Sequence, residues 1–154
     1  MKDQDTVTQT LQLCTFTLDG LRFGIDVTNV QEVIRYQDMT TVPLASSVVH
    51  GLINLRGQIV TAIDMRVRLG LPERAPGELP MNVVVRASDC VVSLLVDEIG
   101  DVVEVAPDTY ERAPEAVASA FKDLVPGVYK LDRLLLLLDA NRIVAISGSQ
   151  REAA

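Results

Sequence analysis

The chain has 154 residues, of which 48% are hydrophobic and only 4% aromatic, so it can bury one compact core built mainly from aliphatic side chains. Its formal net charge of −7 would repel a phosphate backbone, which argues against nucleic-acid binding. The N-terminus lacks the apolar segment of a signal peptide and the longest apolar runs, 91–96 and 134–138, are too short to span a bilayer, so we expect a cytosolic protein without direct membrane insertion.

Nine segments carry the apolar, β-branched patterns that are typical of short strands. Tight-turn signals separate several of them and favour hairpins, beginning with Asp19-Gly20 and Arg56-Gly57. We assign Gly20 and Gly57 to structural turn positions, since glycine readily adopts the positive φ that such turns usually require. The predicted strands are 11–18, 21–26, 52–55, 58–63, 81–87, 90–97, 101–105, 127–131 and 134–139, and further turns are predicted at Ser88-Asp89 and Asp132-Arg133.

Helical periodicity is weaker than the strand patterns. Residues 27–35 place Val27, Val30, Val33 and Ile34 at helical spacing, which predicts a short helix between two strands. Further short helices are predicted at 65–69, within 106–126 and at 140–146, and the segment 71–80, with three prolines and a glycine, is predicted to be a linker.

The sequence contains an internal duplication. Residues 50–64 resemble 126–139 in their order of glycine, strand, tight turn, strand and aspartate, and residues 23–33 resemble 94–105. The repeats come in the same order in each half, which predicts two similar β subdomains. Short strands with frequent turn signals favour small barrels over a βαβ fold. The predicted subdomains are 11–70 and 81–145.

Few residues have side chains suited to catalysis or metal binding. His50 is the only histidine, and Cys14 and Cys90 stand apart from each other and from any metal-ligand pattern. Carboxylates such as Asp64 and Asp97 follow turns and helix starts, so capping and solvated faces account for most of them. No glycine-rich phosphate loop is present. We therefore expect a binding protein with no catalytic residue, metal or cofactor.

Two alternatives stay open for the residues that could form a binding surface. Val27 and Val30 are either core residues or part of an exposed apolar patch for a partner helix. Arg56 is either a solvated turn residue or an arginine whose planar guanidinium makes two hydrogen bonds with a carboxylate such as Glu32.

Four blocks of the sequence together resemble the CheW family of chemotaxis adaptor proteins. They are VQEV (30–33), the segment 42–71, the segment 94–105 and the segment 125–144. NLRG followed by I-V-x-x-I-D is specific when it occurs in this order with the other blocks. The resemblance covers about residues 10–145.

The resemblance implies a mainly β fold: two SH3-like, five-stranded β-barrel subdomains with a few short helices around a common core. It implies one domain over 11–145, between flexible tails at 1–10 and 146–154. It also implies a non-enzymatic adaptor in the cytoplasm that joins the cytoplasmic tips of methyl-accepting chemoreceptors to the regulatory domain of the histidine kinase CheA and is recruited to receptor arrays. An alternative is a similar scaffold in a non-flagellar pathway for gliding or pilus motility.

The resemblance further implies which residues bind receptor or couple it to the kinase. Val30 and Glu32 match the V-Q-E of the family, Val27 lies one helical turn earlier, and Arg56 matches the arginine of NLRG. The last hairpin departs from the family because Asp132-Arg133 lacks the usual glycine, so we expect a type I turn there. The implied binding or coupling residues are Val27, Val30, Glu32, Arg56, Ile99, Gly100 and Val102, of which the last three belong to the second-half block beside the groove between subdomains.

Overall fold

Residues 10–43 and 47–145 are described by a computed structural model, and most of their apolar segments form strands. The predicted tails fall outside the described residues, apart from Thr10. The strands are β1 Leu11–Leu18, β2 Leu21–Asp26, β3 Val30–Ile34, β4 Val49–Leu55, β5 Gln58–Asp64, β6 Met81–Ala87, β7 Cys90–Val96, β8 Glu98–Val105, β9 Tyr110–Arg112, β10 Gly127–Lys130 and β11 Leu134–Leu137. The helices are α1 Met65–Arg68, α2 Glu115–Ala120 and α3 at 140–145, with 3₁₀ turns at Val27–Asn29 and Pro107–Thr109.

Within this part of the chain the strands form two sheets, which confirms the predicted mainly β class with few short helices. The five-stranded sheet has the order β3-β6-β7-β5-β4, and the six-stranded sheet has the order β8-β1-β2-β11-β10-β9. The sixth strand, β9, was not predicted. Its counterpart in the first half is one β-bridge between Thr40 and Leu52, so the same edge is a short strand in one sheet and a single bridge in the other.

The sheets do not coincide with the two halves of the sequence. The five-stranded sheet is made of β3 to β7, whereas β1 and β2 join β8 to β11. The predicted ranges 11–70 and 81–145 therefore do not describe sheet membership. Parallel pairs between β5 and β7 and between β2 and β11 join strands of different halves, and such long-range pairing leaves no local sequence signal. The chain crosses between the sheets at Val27–Asn29 and at Asp97.

The segment 27–35 is not the predicted helix. Val27–Asn29 form one 3₁₀ turn, and Asp26 caps it by accepting a hydrogen bond from the Thr28 backbone N–H. Strand β3 follows and pairs with β6, because β-branched side chains suit a pleated, half-buried surface better than a helix. The apolar spacing in this segment comes from a bulge in a strand, where Val30 pairs with Val85 but Glu32 pairs with Val84.

The predicted hairpin turns are present. Asp19 and Gly20 have positive φ, as do Arg56 and Gly57, and this conformation matches the twist of two-residue hairpins. The last hairpin differs, since Lys130 pairs with Leu134 and the turn has three residues, none with positive φ. The predicted strand 127–131 thus ends one residue early.

A common apolar cluster lies between the two sheets. Phe16 and Phe23 stack at its centre with a 6.3 Å separation of their ring centroids, and Phe121 packs edge-on against Phe23. Alternate residues of β6 and β7, such as Val83 and Leu94, extend the cluster to the five-stranded sheet. Since this core is shared, neither sheet buries its apolar face alone.

Asp97 is the single residue between β7 and β8, where the chain leaves one sheet for the other. Its carboxylate accepts hydrogen bonds from the Arg66 side chain at 3.0 and 2.5 Å, from the Arg74 side chain at 3.1 Å and from the Asp19 backbone N–H at 2.8 Å. Its own N–H donates to the Thr17 carbonyl. The expectation that capping and solvated faces account for such carboxylates is therefore wrong for Asp97, which is 17% exposed.

Burial alone would raise the pKa of Asp97, but the hydrogen bonds from Arg66, the Asp19 N–H and Arg74 outweigh it and hold the pKa below its usual range. Stabilisation by the ionised form is therefore complete above about pH 4 and is lost as the pH falls through the folded-state pKa. The carboxylate thus contributes stability only in its charged form.

We expect Asp97→Asn to lower the free energy of unfolding at neutral pH by about 2–3 kcal/mol, because two largely buried arginines lose their counter-charge. Urea unfolding at about pH 7 and about pH 3 checks this, since the difference between wild type and variant should shrink at the lower pH. A difference that stays constant over this range would contradict the role of the charge.

Candidate functional site

Arg56 and Glu32 form a two-pronged ion pair at one corner of the five-stranded sheet. The Nη1 and Nη2 atoms of Arg56 donate to Oε2 and Oε1 of Glu32 at 2.9 and 2.8 Å. The arginine side chain is 76% exposed and the glutamate side chain 17%. Of the two alternatives for Arg56, the structure therefore contains the one in which its guanidinium pairs with Glu32.

This ion pair joins the two ends of the sheet. Glu32 lies on β3 and Arg56 follows β4, and these are the outermost strands in the order β3-β6-β7-β5-β4. A contact between them requires the sheet to curl until its edges meet. The chain that leaves β3 supports this closure, because Thr40 exchanges two backbone hydrogen bonds of 2.9 Å with Leu52 of β4.

The turn between β4 and β5 presents Arg56. The φ of Arg56 is 55° and that of Gly57 is 86°, and a Cβ atom at Gly57 would meet no atom within 4 Å. Glycine is needed there for its backbone conformation and not for space. The Gly57 N–H donates to Oδ1 of Asn54 at 2.9 Å, which holds the turn and with it the direction of the arginine.

The apolar residues of the predicted site divide between core and surface. Val30 packs against the common cluster, and Val27 is half-buried in the 3₁₀ turn. Two exposed side chains that the sequence analysis did not select, Val33 on β3 and Ile59 on β5, lie on the strands that carry Glu32 and follow Arg56. Burial alternates from residue to residue along β3, so assigning this segment to a strand would have been enough to place Val33 at the surface.

The second group of predicted residues lies on β8, the edge strand of the other sheet. Ile99 packs against the common cluster, Val102 is 56% exposed, and Gly100 lies directly over Thr15. A Cβ atom at Gly100 would come within 2.5 Å of Oγ1 of Thr15, which donates a hydrogen bond to the Asp101 carbonyl. Gly100 is therefore required for close packing of β8 on β1.

The two groups occupy equivalent positions in the two sheets. Counted back from their hairpin turns, Val85 of β6 and Phe16 of β1 are equivalent. Val30 pairs with Val85, and Ile99 pairs with Phe16. Two further pairs complete the correspondence. Val33 pairs with Val83 and Val102 pairs with Cys14, and Val83 and Cys14 are equivalent in the same count. The duplication detected in the sequence is thus present in the fold. The sequence match of 23–33 to 94–105 ends by aligning Val30 with Val102, whereas the strand pairing aligns Val30 with Ile99, three residues earlier.

One difference between the sheets stands out at these positions. In the six-stranded sheet Asp101 takes the place of Glu32, and the turn Leu131–Arg133 takes the place of the turn that carries Arg56. Among the described residues no ion pair joins Asp101 to Arg133, and both line an open cleft of about 310 Å³ together with Thr15 and Arg22. The equivalent corner is closed in one sheet and open in the other.

The remaining chemistry is limited. His50 is exposed on β4, and burial raises the pKa of the Cys14 thiol, which reduces its reactivity. Over residues 10–43 and 47–145 no three histidine, cysteine or acidic side chains lie close enough to hold a metal ion. In the same ranges no helix is long and apolar enough to cross a bilayer.

Comparison with known proteins identifies a family. The family model for the CheW-like domain matches residues 12–147. The chain is 33% identical to the chemotaxis protein CheW of Bacillus subtilis over 140 residues, which covers 90% of each chain. It is 30% identical to the chemotaxis protein CheW of Klebsiella aerogenes over 131 residues, or 84% of this chain and 79% of the relative.

A solved structure has the same fold. The crystal structure of the scaffolding protein TtCheW from Thermoanaerobacter tengcongensis matches with a TM-score of 0.82 and 24% identity. The match covers 92% of this chain and 97% of that chain.

The contact between Gly100 and Thr15 gives a prediction about β8. Gly100→Ala should lower the free energy of unfolding by about 1–3 kcal/mol, because the added methyl group overlaps Oγ1 of Thr15. Chemical denaturation measures this effect. Thr15→Ala in the same chain removes the obstructing atoms, so the cost of Gly100→Ala should be smaller in that background; equal costs in both backgrounds would refute the packing role.

Proposed function

This chain belongs to the CheW family of chemotaxis scaffold proteins, and we propose that it couples methyl-accepting chemoreceptors to the histidine kinase CheA. In this proposal one surface binds the cytoplasmic tip of the receptor and another binds the regulatory domain of the kinase. The protein acts by position and makes or breaks no covalent bond. It works in the cytoplasm, where it is recruited to receptor arrays.

The observation that carries the receptor side of the proposal is the corner formed by Arg56 and Glu32. Arg56 uses two of its five N–H donors on Glu32, and most of its guanidinium faces solvent. Its direction is set by the carboxylate, so the exposed donors are held ready for a partner without a large loss of side-chain entropy on binding.

Exposed apolar side chains follow both members of this ion pair closely in the chain. Ile59 is 62% exposed two residues after Gly57, and Val33 is exposed one residue after Glu32. A polar centre with exposed aliphatic neighbours suits an amphipathic helix, whose apolar side covers the aliphatic residues while a polar side chain meets the arginine. A receptor tip, which is a helical hairpin, has this chemistry.

The residues on β8 support the proposal through their equivalence. Val102 is exposed at the position that corresponds to Val33, and Ile99 supports it from the core as Val30 supports β3. We include Ile99, Gly100 and Val102 in the coupling surface on this basis, with Gly100 acting through close packing. Val27 enters it through the turn that leads into β3.

The direct test is co-elution. The purified chain is mixed with the regulatory domain of CheA from the same source, with and without a receptor cytoplasmic hairpin, and the mixture is run on size-exclusion chromatography. We expect a binary complex that becomes larger with receptor. Absence of a shift at tens of micromolar, where weak specific complexes are still populated, would overturn the proposal.

Single variants of the ion pair test its role in coupling. Arg56→Ala and Glu32→Ala should leave the fold intact, because an exposed ion pair contributes less than about 1 kcal/mol, and should weaken receptor-dependent control of the kinase. Arg112→Ala, at an exposed arginine of the six-stranded sheet, is the matched control. Normal kinase control with Arg56→Ala would remove this residue from the coupling surface.

The charge exchange Glu32→Arg with Arg56→Glu distinguishes the two roles of Arg56. If the ion pair only braces the corner, the exchanged pair restores it and coupling recovers. If the Arg56 guanidinium meets the receptor, coupling stays low although the pair is restored. Kinase activity in the presence of receptor and chain is the measurement for both.

A further inference from the structure

The two sheets share an apolar core, but apolar packing has little directional preference. Directional contacts at the points where the chain crosses between the sheets therefore add to what fixes their relative placement. One crossing is the 3₁₀ turn Val27–Asn29, and the other is Asp97 alone. A one-residue crossing has few backbone dihedrals of its own, so its side-chain contacts decide how rigid it is.

Asp97 binds donors that come from both sheets. Arg66 belongs to α1, which directly follows β5 of the five-stranded sheet, and the Asp19 N–H belongs to the β1–β2 turn of the six-stranded sheet. Arg74, from the segment between α1 and β6, contributes a third donor group. Both arginine side chains are largely buried, so the pairs are shielded from the solvent that weakens exposed ion pairs.

Arg66 also fixes the segment that follows α1. Its Nη1 donates to the Pro72 carbonyl at 2.9 Å and to the Glu73 carbonyl at 3.3 Å. One guanidinium thus holds Asp97 and this segment at the same time. We call the set Asp97, Arg66, Arg74 and the Asp19 N–H the Asp97 latch.

At the other crossing, Nδ2 of Asn29 donates to the Arg86 carbonyl at 3.1 Å, and the aspartate contacts a nearby residue of the same turn. Asp26, the residue that the sequence repeat matches to Asp97, accepts hydrogen bonds from the N–H and Oγ1 of Thr28, two residues away. Within the described residues its carboxylate takes part in no ion pair. Asp26 therefore caps a local turn, whereas Asp97 joins separate segments of the fold.

We propose that the Asp97 latch is a positioning device for coupling, which holds β8 of the six-stranded sheet in register with the Arg56–Glu32 corner of the five-stranded sheet. Ile99 and Gly100 lie two and three residues after Asp97, near the start of β8. A displacement of Asp97 therefore moves them directly. This inference rests on the proposed function. Each partner would still bind its own surface with the latch open, but binding at one surface would no longer set the geometry at the other.

The structural part of the test needs no partner. Residual dipolar couplings of the isotope-labelled full chain report the orientation of each sheet, and in the wild type a single alignment tensor should fit both sheets. In Asp97→Asn, the Asn amide places a donor where a carboxylate oxygen accepted, so the latch opens and two different tensors should be needed. Asp26→Asn is the matched control and should keep one tensor.

The functional part uses the same variants. Asp97→Asn should keep its binary affinities for the CheA regulatory domain and for the receptor hairpin within about twofold and lose about tenfold in receptor-dependent kinase stimulation. A role in stability alone would leave the folded fraction fully active, so the stimulation is compared at equal folded concentration. Arg74→Gln, which removes only one donor group, serves the same comparison if Asp97→Asn does not fold.

The outcomes are distinguishable. One tensor together with normal stimulation in the latch variants overturns the inference, and two tensors with normal stimulation overturn its link to coupling. If the wild type binds neither partner, the proposed function fails. The tensor measurement then still decides whether the latch sets the placement of the sheets.

Discussion

A largely desolvated carboxylate at the crossing between two sheets imposes a strict condition on the rest of the fold. Asp97 is largely removed from water, and its charge is tolerated only because donors from Arg66, Arg74 and the Asp19 backbone reach it together. Two of those donors come from a helix and the segment that follows it, and the third comes from a hairpin turn more than 40 residues earlier in the sequence. All of them must be in place before the charge is stabilised, so this contact forms only in the assembled fold.

The duplicated topology explains why such a contact is needed. Each sheet combines a hairpin from one half of the sequence with strands from the other, and parallel pairs such as Ile63 with Leu94 and Leu136 with Phe23 close the arrangement. Neither half can complete a sheet alone. The common core therefore forms only when both halves are present, and the polar contacts at the crossings then fix the angle that apolar packing leaves free.

Local chemistry was predictable from the sequence. The Asp-Gly and Arg-Gly turns, the cap at Asp64 and the pairing of Arg56 with Glu32, one of two alternatives, all depend on residue types that prefer one conformation or one partner geometry. The family resemblance also predicted the fold class correctly. These features need only neighbouring residues or a known pattern.

The errors have a different origin. Residues 27–35 were predicted as a helix because a bulge in β3 imitates helical spacing, and the ranges 11–70 and 81–145 missed the exchange of strands, which depends on pairing across the whole chain. Asp97 looked like any turn carboxylate, because burial and convergent arginines are properties of the assembled structure. The coupling residues are defined by partners, and the sequence of one chain does not contain those partners.

The corners of the two sheets have diverged in charge arrangement, which bears on how a partner that fits one corner is kept from binding the other. Equivalent positions carry Glu32 with Arg56 in one sheet, and Asp101 with the turn at Leu131–Arg133 in the other. The first corner is closed by its own ion pair and offers a pre-oriented arginine between aliphatic residues, whereas the second is an open polar cleft. A duplicated fold with identical corners would give a partner two equal places to bind. Under the proposed function, a receptor that complements the Arg56–Glu32 corner finds a different charge arrangement at the equivalent corner of the other sheet, which is how specificity arises from a difference between affinities.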